Sequence, residues 1–273
     1  MPAAFPPGVV RTPGETLSLS TTLASLGIPN NIYQVLLYNP TGDFRLSLNP
    51  VIQEVVFYDS SASNGSKYER NSGTSNSLTR DMTDRNTANG TGTALDSSQA
   101  NVDFLYLRVA EAIGGIRIVI GSANGTSSTT FKGEYRKSDN TWANLSVTDG
   151  TDSGDVGLAQ TGSVTWTVPT DHLNTNLLAI ESLADTGAKD AAAYLDAPTN
   201  NGLWYRFSWD EALDSDTEID EIWTLNAVTD RGYFRAATEY TISLDRRVVG
   251  AIEVVLASGT DTLQVTWMRI GQG

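Results

Sequence analysis

Carboxylates are the densest chemistry-bearing side chains in this chain, at Asp149, Asp152 and Asp155 and again through Asp210, Asp214, Asp216, Glu218, Asp220 and Glu221. Calcium binds where several hard oxygen ligands converge, and acidic loops supply them. Asp149, Asp152, Asp214 and Asp216 are the weak candidates for such a site. Asp214-x-Asp216-x-Glu218 opens like a calcium loop, but Ile219 stands where that loop needs glycine and Leu225 where it needs the closing glutamate. The plainer reading is a solvated acidic loop, so no metal and no cofactor is assigned.

Aromatic faces offer a second chemistry. Trp142, Trp204 and Tyr205 are the candidates for a platform on which sugar rings could stack. Against that stands the alternation Val164-Thr-Trp166-Thr-Val168, which puts a tryptophan on the valine face of a strand and predicts a core role for such residues. Catalytic constellations are not visible: no carboxylate pair stands out, and His172, the only histidine, has no Gly-x-Ser-x-Gly elbow to serve. Gly114-Gly115 and Gly121 lie between strand-like runs, without a following helix to receive a phosphate. The expectation is a protein without enzymatic activity and without catalytic residues.

The elements that must carry these side chains read as strands. Phe44-Arg-Leu46-Ser-Leu48, Ile116-Arg-Ile118-Val-Ile120, Tyr240-Thr-Ile242-Ser-Leu244 and Leu263-Gln-Val265-Thr-Trp267 alternate, and Asn39-Pro-Thr-Gly42, Ser138-Asp-Asn140 and Ser258-Gly-Thr-Asp261 punctuate them as turns. The predicted fold is all-β, an antiparallel β-sandwich of jelly-roll-like form, with the chain ends able to make a second small β-subdomain. Residues 1–14, with prolines at 2, 6, 7 and 13, read as an extended arm. Residues 15–100 supply N-terminal strands and then, from about 59 to 100, a long polar Ser/Asn/Thr/Gly loop with few residues fit for a core. Residues 101–228 form the sandwich module, and 229–273 supply C-terminal strands that pack with the N-terminal ones. The one helical candidate spans Asp171–Ala193, interrupted by Gly187.

Composition narrows the partners. Eighteen basic against 32 acidic residues give a formal charge of −14, which repels nucleic acid and anionic membranes. The absence of cysteine removes disulfides and thiolate chemistry. The first residues lack the basic start and apolar run of a signal peptide, so no export is expected.

Residues 101–223 resemble a β-sandwich module of tailed-phage virion structural proteins, of the decoration or tail-associated type. The resemblance rests on Asp103-Phe-Leu-Tyr106, Ile113-Gly-Gly-Ile116, Glu134-Tyr135, Thr141-Trp142-Ala-Asn-Leu145, Val147-Thr-Asp-Gly-Thr151, Leu158 to Pro169, and Leu203-Trp-Tyr-Arg-Phe207. The chain departs from the module at Asp171-His172, where a tryptophan is usual, and in a longer stretch from Leu173 to Gly202. The resemblance implies a structural protein on the exterior of a phage virion. Its partners would be other virion proteins, either the major capsid protein or tail subunits, and further copies of itself. A capsid decoration or cement role comes first. A tail, baseplate or fibre-associated role and a carbohydrate-binding host-adhesion module are the alternatives.

Overall fold

Period-two alternation of apolar side chains becomes strand at 44–48, 116–120, 240–243 and 263–267, and among the described residues every ladder between strands is antiparallel. The computed structural model describes residues 9–11, 15–20, 24–29, 32–39, 41–62, 68–70, 82, 93–95, 98–177, 200–225, 232–234, 236–244, 249–256 and 259–270. The strands in chain order begin with β1 (Val9–Arg11), β2 (Glu15–Leu19), β3 (Ala24–Gly27), β4 (Ile32–Tyr38), β5 (Phe44–Pro50), β6 (Ile52–Tyr58), β7 (Tyr68–Arg70) and β8 (Thr93–Ala94). They continue with β9 (Phe104–Val109), β10 (Gly115–Ser122), β11 (Phe131–Arg136), β12 (Trp142–Leu145), β13 (Thr148–Asp149), β14 (Gly162–Thr165), β15 (Asn174–Thr175) and β16 (Gly202–Trp209). The last are β17 (Glu218–Leu225), β18 (Gly232–Phe234), β19 (Glu239–Ser243), β20 (Val249–Leu256) and β21 (Asp261–Ile270).

The chain divides into two compact units. A host unit combines Met1–Val51 with Val228–Gly273, and an inserted unit spans Ile52–Ala227. The inserted unit therefore opens at Ile52, not at residue 101, because β6 pairs with β9 from Ile52↔Val109 to Tyr58↔Phe104.

Within the host unit, β2 pairs with β21, β3 with β20, β4 with β19 and β5 with β18. First meets last, second meets second-last, and so inward. Two further ladders, β4 with β21 and β5 with β20, join these pairs into two sheets. Leu17 and Leu19, Val35 and Leu37, Phe44 and Leu46, Ile252, Val254 and Leu256, and Leu263, Val265 and Trp267 form the core of this unit. Trp267 also donates its Nε1–H to Glu15 Oε1 at 2.7 Å, joining β21 to β2.

The inserted unit repeats the nested pattern: β8 with β17, β9 with β16, β10 with β14 and β11 with β12. Ladders β10 with β17 and β11 with β16 complete two sheets, in the orders β13-β14-β10-β17-β8 and β12-β11-β16-β9-β6-β7, with β15 beside β16. Between them lies a core that includes Ile116, Ile118, Phe131, Val164, Trp166, Tyr205, Phe207 and Trp209. Burying each such side chain is worth about 1.5–3 kcal/mol relative to leaving it in water. A second aromatic cluster of Tyr58, Tyr68, Tyr106, Leu177 and Trp204 gathers on the other face of the β6–β9–β16 sheet.

Two close approaches need glycine. A Cβ on Gly162 would stand 2.0 Å from the Gly150 carbonyl oxygen, and one on Gly150 would stand 2.6 Å from that of Ser163.

The polar stretch 59–100 is less detached than its composition predicts. Its described residues Tyr68, Met82 and Leu95 are all buried, at 1% exposure or less, and Ile222 N donates to Met82 O at 2.7 Å. Asp103, fully buried at the start of β9, accepts from the backbone N–H of Ser60 and of Gln99, tying both ends of the stretch down. Burial nonetheless pushes this carboxyl above the usual carboxylate range. Of the expected arm, residues 1–8 and 12–14 lie outside the described residues, and 9–11 form a strand. The expected helix over Asp171–Ala193 lies largely outside them too, and its described start carries a bridge at His172 and strand β15.

Candidate functional site

Two connections of the inserted unit, 150–161 after β13 and 210–217 after β16, carry Asp152, Asp155, Asp210, Asp214 and Asp216, and the 123–130 connection after β10 joins them through hydrogen bonds. Polar side chains lace them together. Asn124, 3% exposed, donates from Nδ2 to Gly157 O (3.0 Å) and Thr129 Oγ1 (3.2 Å), and its Oδ1 accepts from the backbone N–H of Thr126 and of Asp214. Asp214 in turn accepts from Gly125 N and Asp216 N. Thr151 is fully buried, accepting from Leu158 N and donating to Asp149 Oδ1. Ser128, Asp155 and Leu158 sit at φ of 61°, 64° and 60°, a left-handed conformation that non-glycine residues hold only where their surroundings impose it.

Beside this lacing opens a surface pocket of about 420 Å³, lined by Ser128, Thr130, Val147, Asp149, Asp152 and Asp155 among others. Hydroxyl and carboxylate side chains line it beside the apolar Phe131 and Val147, a mixed surface on which polyhydroxylated or cationic groups could find partners. Asp210 accepts from the backbone N–H of pocket-lining Thr130; burial works to raise its carboxyl, but hydrogen bonds from Thr130 and the charge of Lys132 outweigh it and hold the group below the usual carboxylate range.

The calcium candidates separate here. Asp149 and Asp152 reach the pocket together with Asp155, whereas Asp214 and Asp216 belong to the neighbouring 210–217 connection. Both Asp214 oxygens are occupied by backbone N–H groups, and one Asp149 oxygen by Thr151. Among the described residues no group of three or more His, Cys, Asp or Glu is placed to hold a metal ion.

The stacking platform is corrected. Trp204 and Tyr205 are both fully buried and, as consecutive residues of β16, enter different clusters on opposite faces of the sheet. Trp204 donates Nε1–H to Thr175 O at 2.9 Å. Trp142 is half-buried, and its ring is taken by Arg206, whose guanidinium lies 4.4 Å from it and 4.4 Å from the Phe104 ring. Glu134 holds Arg206 from the side at 2.6 Å.

One polar knot has no motif to announce it. The His172 ring lies edge-on between Tyr135 and Tyr205, with centroids 4.8 and 4.7 Å away. His172 Nε2 and the Tyr205 hydroxyl are 2.8 Å apart, Ile113 N donates to that hydroxyl at 3.0 Å, and Trp166 Nε1 donates to Ile113 O at 2.8 Å. Tyr135 donates to Asp171 Oδ1 at 2.8 Å. Burial lowers the His172 pKa and pushes the Tyr205 phenol far up, so both are neutral at neutral pH. The Tyr205 hydroxyl also donates to Ile113 O at 3.3 Å. The ensemble is a clamp: Leu173 N on Arg136 O and Ser138 N on Asp171 O hold the 171–173 stretch to the end of β11. The only sequence signal was that His172 is the chain's lone histidine.

No family model, curated protein or solved structure matches the chain.

Proposed function

We propose that this protein is a non-enzymatic structural component on the exterior of a tailed-phage particle, with a capsid decoration or cement role as its first assignment. The observation that carries the reading is the repeated nested pairing, which supports taking each unit as a jelly roll, an architecture at home in capsid and lectin domains. Both units spend their large aromatics on cores: Trp166, Trp204, Trp209 and Trp267 are each 6% exposed or less. What is left for partners is edges and loops, as suits a protein that works by lateral contact. The formal charge of −14 favours a position away from packaged DNA. The major capsid protein or tail subunits, and further copies of the chain, are the partners this reading names.

Antibody labelling of intact particles tests it. Label on the head is expected. Label confined to the tail would replace the cement assignment by the tail-associated one, and absence of the protein from purified particles would overturn the whole proposal.

The pocket at Asp149, Asp152 and Asp155 favours a second reading, host adhesion through a carbohydrate. That reading expects glycan binding that Asp152→Ala abolishes and Trp142→Ala spares.

A further inference from the structure

The sequence holds four Asn-Gly pairs, and two of them lie wholly among the described residues, Asn124-Gly125 and Asn201-Gly202. In such a pair the backbone nitrogen of the second residue reaches the side-chain carbonyl carbon of the first most readily, because glycine has no Cβ in the way. At 201–202 packing imposes the glycine. A Cβ on Gly202 would stand 2.4 Å from Arg108 Cγ and 2.8 Å from Arg108 Cδ.

The two pairs meet opposite surroundings. Asn124 is 3% exposed, its side-chain nitrogen is held by Gly157 O and Thr129 Oγ1, and Gly125 donates its N–H to the Asp214 carboxylate at 3.0 Å. That negative charge resists loss of the Gly125 proton. Asn201 is exposed. Its main-chain oxygen accepts from Arg108 Nη1 at 3.2 Å, and its Oδ1 accepts from Asn176 Nδ2 at 3.3 Å. Gln53 and Glu54 hold the guanidinium in place, at 2.6 and 3.0 Å. When the Gly202 N–H ionises, charge spreads onto the Asn201 main-chain oxygen, where Arg108 donates. As that nitrogen adds to Asn201 Cγ, charge passes to Oδ1, where Asn176 donates. Donors fixed at the atoms on which charge develops lower a barrier.

We propose that Asn201 is a site of spontaneous deamidation, promoted in the folded chain by Arg108 and Asn176. The Gly202 nitrogen bonds to Asn201 Cγ as the Cγ–Nδ2 bond breaks, and ammonia leaves with the Gly202 proton. Water then opens the five-membered imide. Attack at Cγ gives aspartate; attack at the main-chain carbonyl gives isoaspartate, whose backbone is one carbon longer. Either product adds a carboxylate next to Arg108. Isoaspartate also displaces the residue just before β16, where Gly202 faces Thr175 of β15. The inference is independent of whether the protein belongs to a particle.

The full chain is held in mildly alkaline buffer, sampled over time, digested and mapped by mass spectrometry, with isoaspartate read by enzymatic methylation. Each Asn-Gly pair is thereby followed by itself. In the folded chain Asn201 should convert about tenfold or more faster than Asn124, whose reaction must first break several hydrogen bonds. In concentrated urea the two should convert alike. Asn176→Ala should slow Asn201 about two- to tenfold and leave Asn124 unchanged. Loosening of the fold would speed the reaction, so slowing reports the lost donor. Equal rates at Asn201 and Asn124 in the folded chain overturn the proposal, as does a difference that persists in urea. An Asn176→Ala chain that converts Asn201 as fast as the parent, or faster, overturns it too.

Discussion

Replacing Tyr205 by phenylalanine removes one oxygen from the knot around His172 and leaves the ring packing intact. The ring stays 5.4 Å from Trp166 and 4.7 Å from His172. What goes is the acceptor for Ile113 N–H, a buried donor with that hydroxyl 3.0 Å away, and the hydrogen bond to His172 Nε2 at 2.8 Å. A stranded buried N–H costs roughly 1–3 kcal/mol and a lost neutral hydrogen bond about 0.5–1.5. The expected loss is therefore about 2–4 kcal/mol in the inserted unit, or about 5–15 °C in melting temperature for a unit of its size. Urea denaturation followed by tryptophan fluorescence reads it, since Trp166 and Trp209 lie in that unit's core. Tyr135→Phe is the control: its hydroxyl meets only partly buried Asp171, and its removal should cost about 1 kcal/mol or less. If Tyr205→Phe falls within about 0.5 kcal/mol of the parent, or costs no more than Tyr135→Phe, the hydroxyl is not the keystone of the knot.

Acid should weaken the same knot. Burial depresses the His172 pKa, and the Arg136 carbonyl and the Asp171 charge only partly oppose it. Below about pH 6.5 the unfolded chain therefore binds the proton first, so stability is whole above that pH and is lost as pH falls through the folded-state value. Subtracting the pH–stability curve of His172→Phe isolates the contribution; a flat difference from pH 7.5 to 5 would refute it. Gly162→Ala should cost more than about 3 kcal/mol, because backbone meets the new Cβ at 2.0 Å, while Gly154→Ala, with φ of +67° but open space, should cost about 1 kcal/mol. Equal costs in denaturant melts would contradict the clash. Arg206→Lys keeps the charge but loses the flat stack between Phe104 and Trp142, and should cost about 1–2 kcal/mol with a change in tryptophan emission. An unchanged spectrum and stability would show the stack to be idle.

Strands were legible where one face repeats. Val164-Thr-Trp166 announced a buried tryptophan, and Trp166 is 6% exposed. The same period argues against the Trp204–Tyr205 platform, since neighbours in a strand face apart, so that correction was within the sequence's reach. Tyr68, Met82 and Leu95 were not: isolated apolar residues in a polar stretch carry no period, and their burial depends on strands elsewhere in the chain. The His172 knot was hidden for a similar reason. Its partners Tyr135 and Tyr205 come from β11 and β16, and nothing local in Thr170-Asp-His172 marks them. For the acidic residues, spacing alone could not say that Asp149 and Asp152 share a pocket while Asp214 ties down a turn.

The nested pairing also explains how one fold can sit inside the sequence of another. Every ladder of the host unit closes around the connection from β5 to β18, so an insertion there interrupts no pair. The difficulty is entropic: Glu15 and Trp267, 252 positions apart, must meet before the outermost strands gain anything. The inserted unit shortens that search once it folds. Its first strand starts with Ile52 opposite Val109, and its last ends with Leu225 opposite Gly115, so both of its ends lie beside the short connection 110–114. Folding the insert thus brings the two halves of the host chain to one place and replaces a long loop by a short one. Topology therefore favours folding of the inserted unit before the outermost ladders of the host unit close.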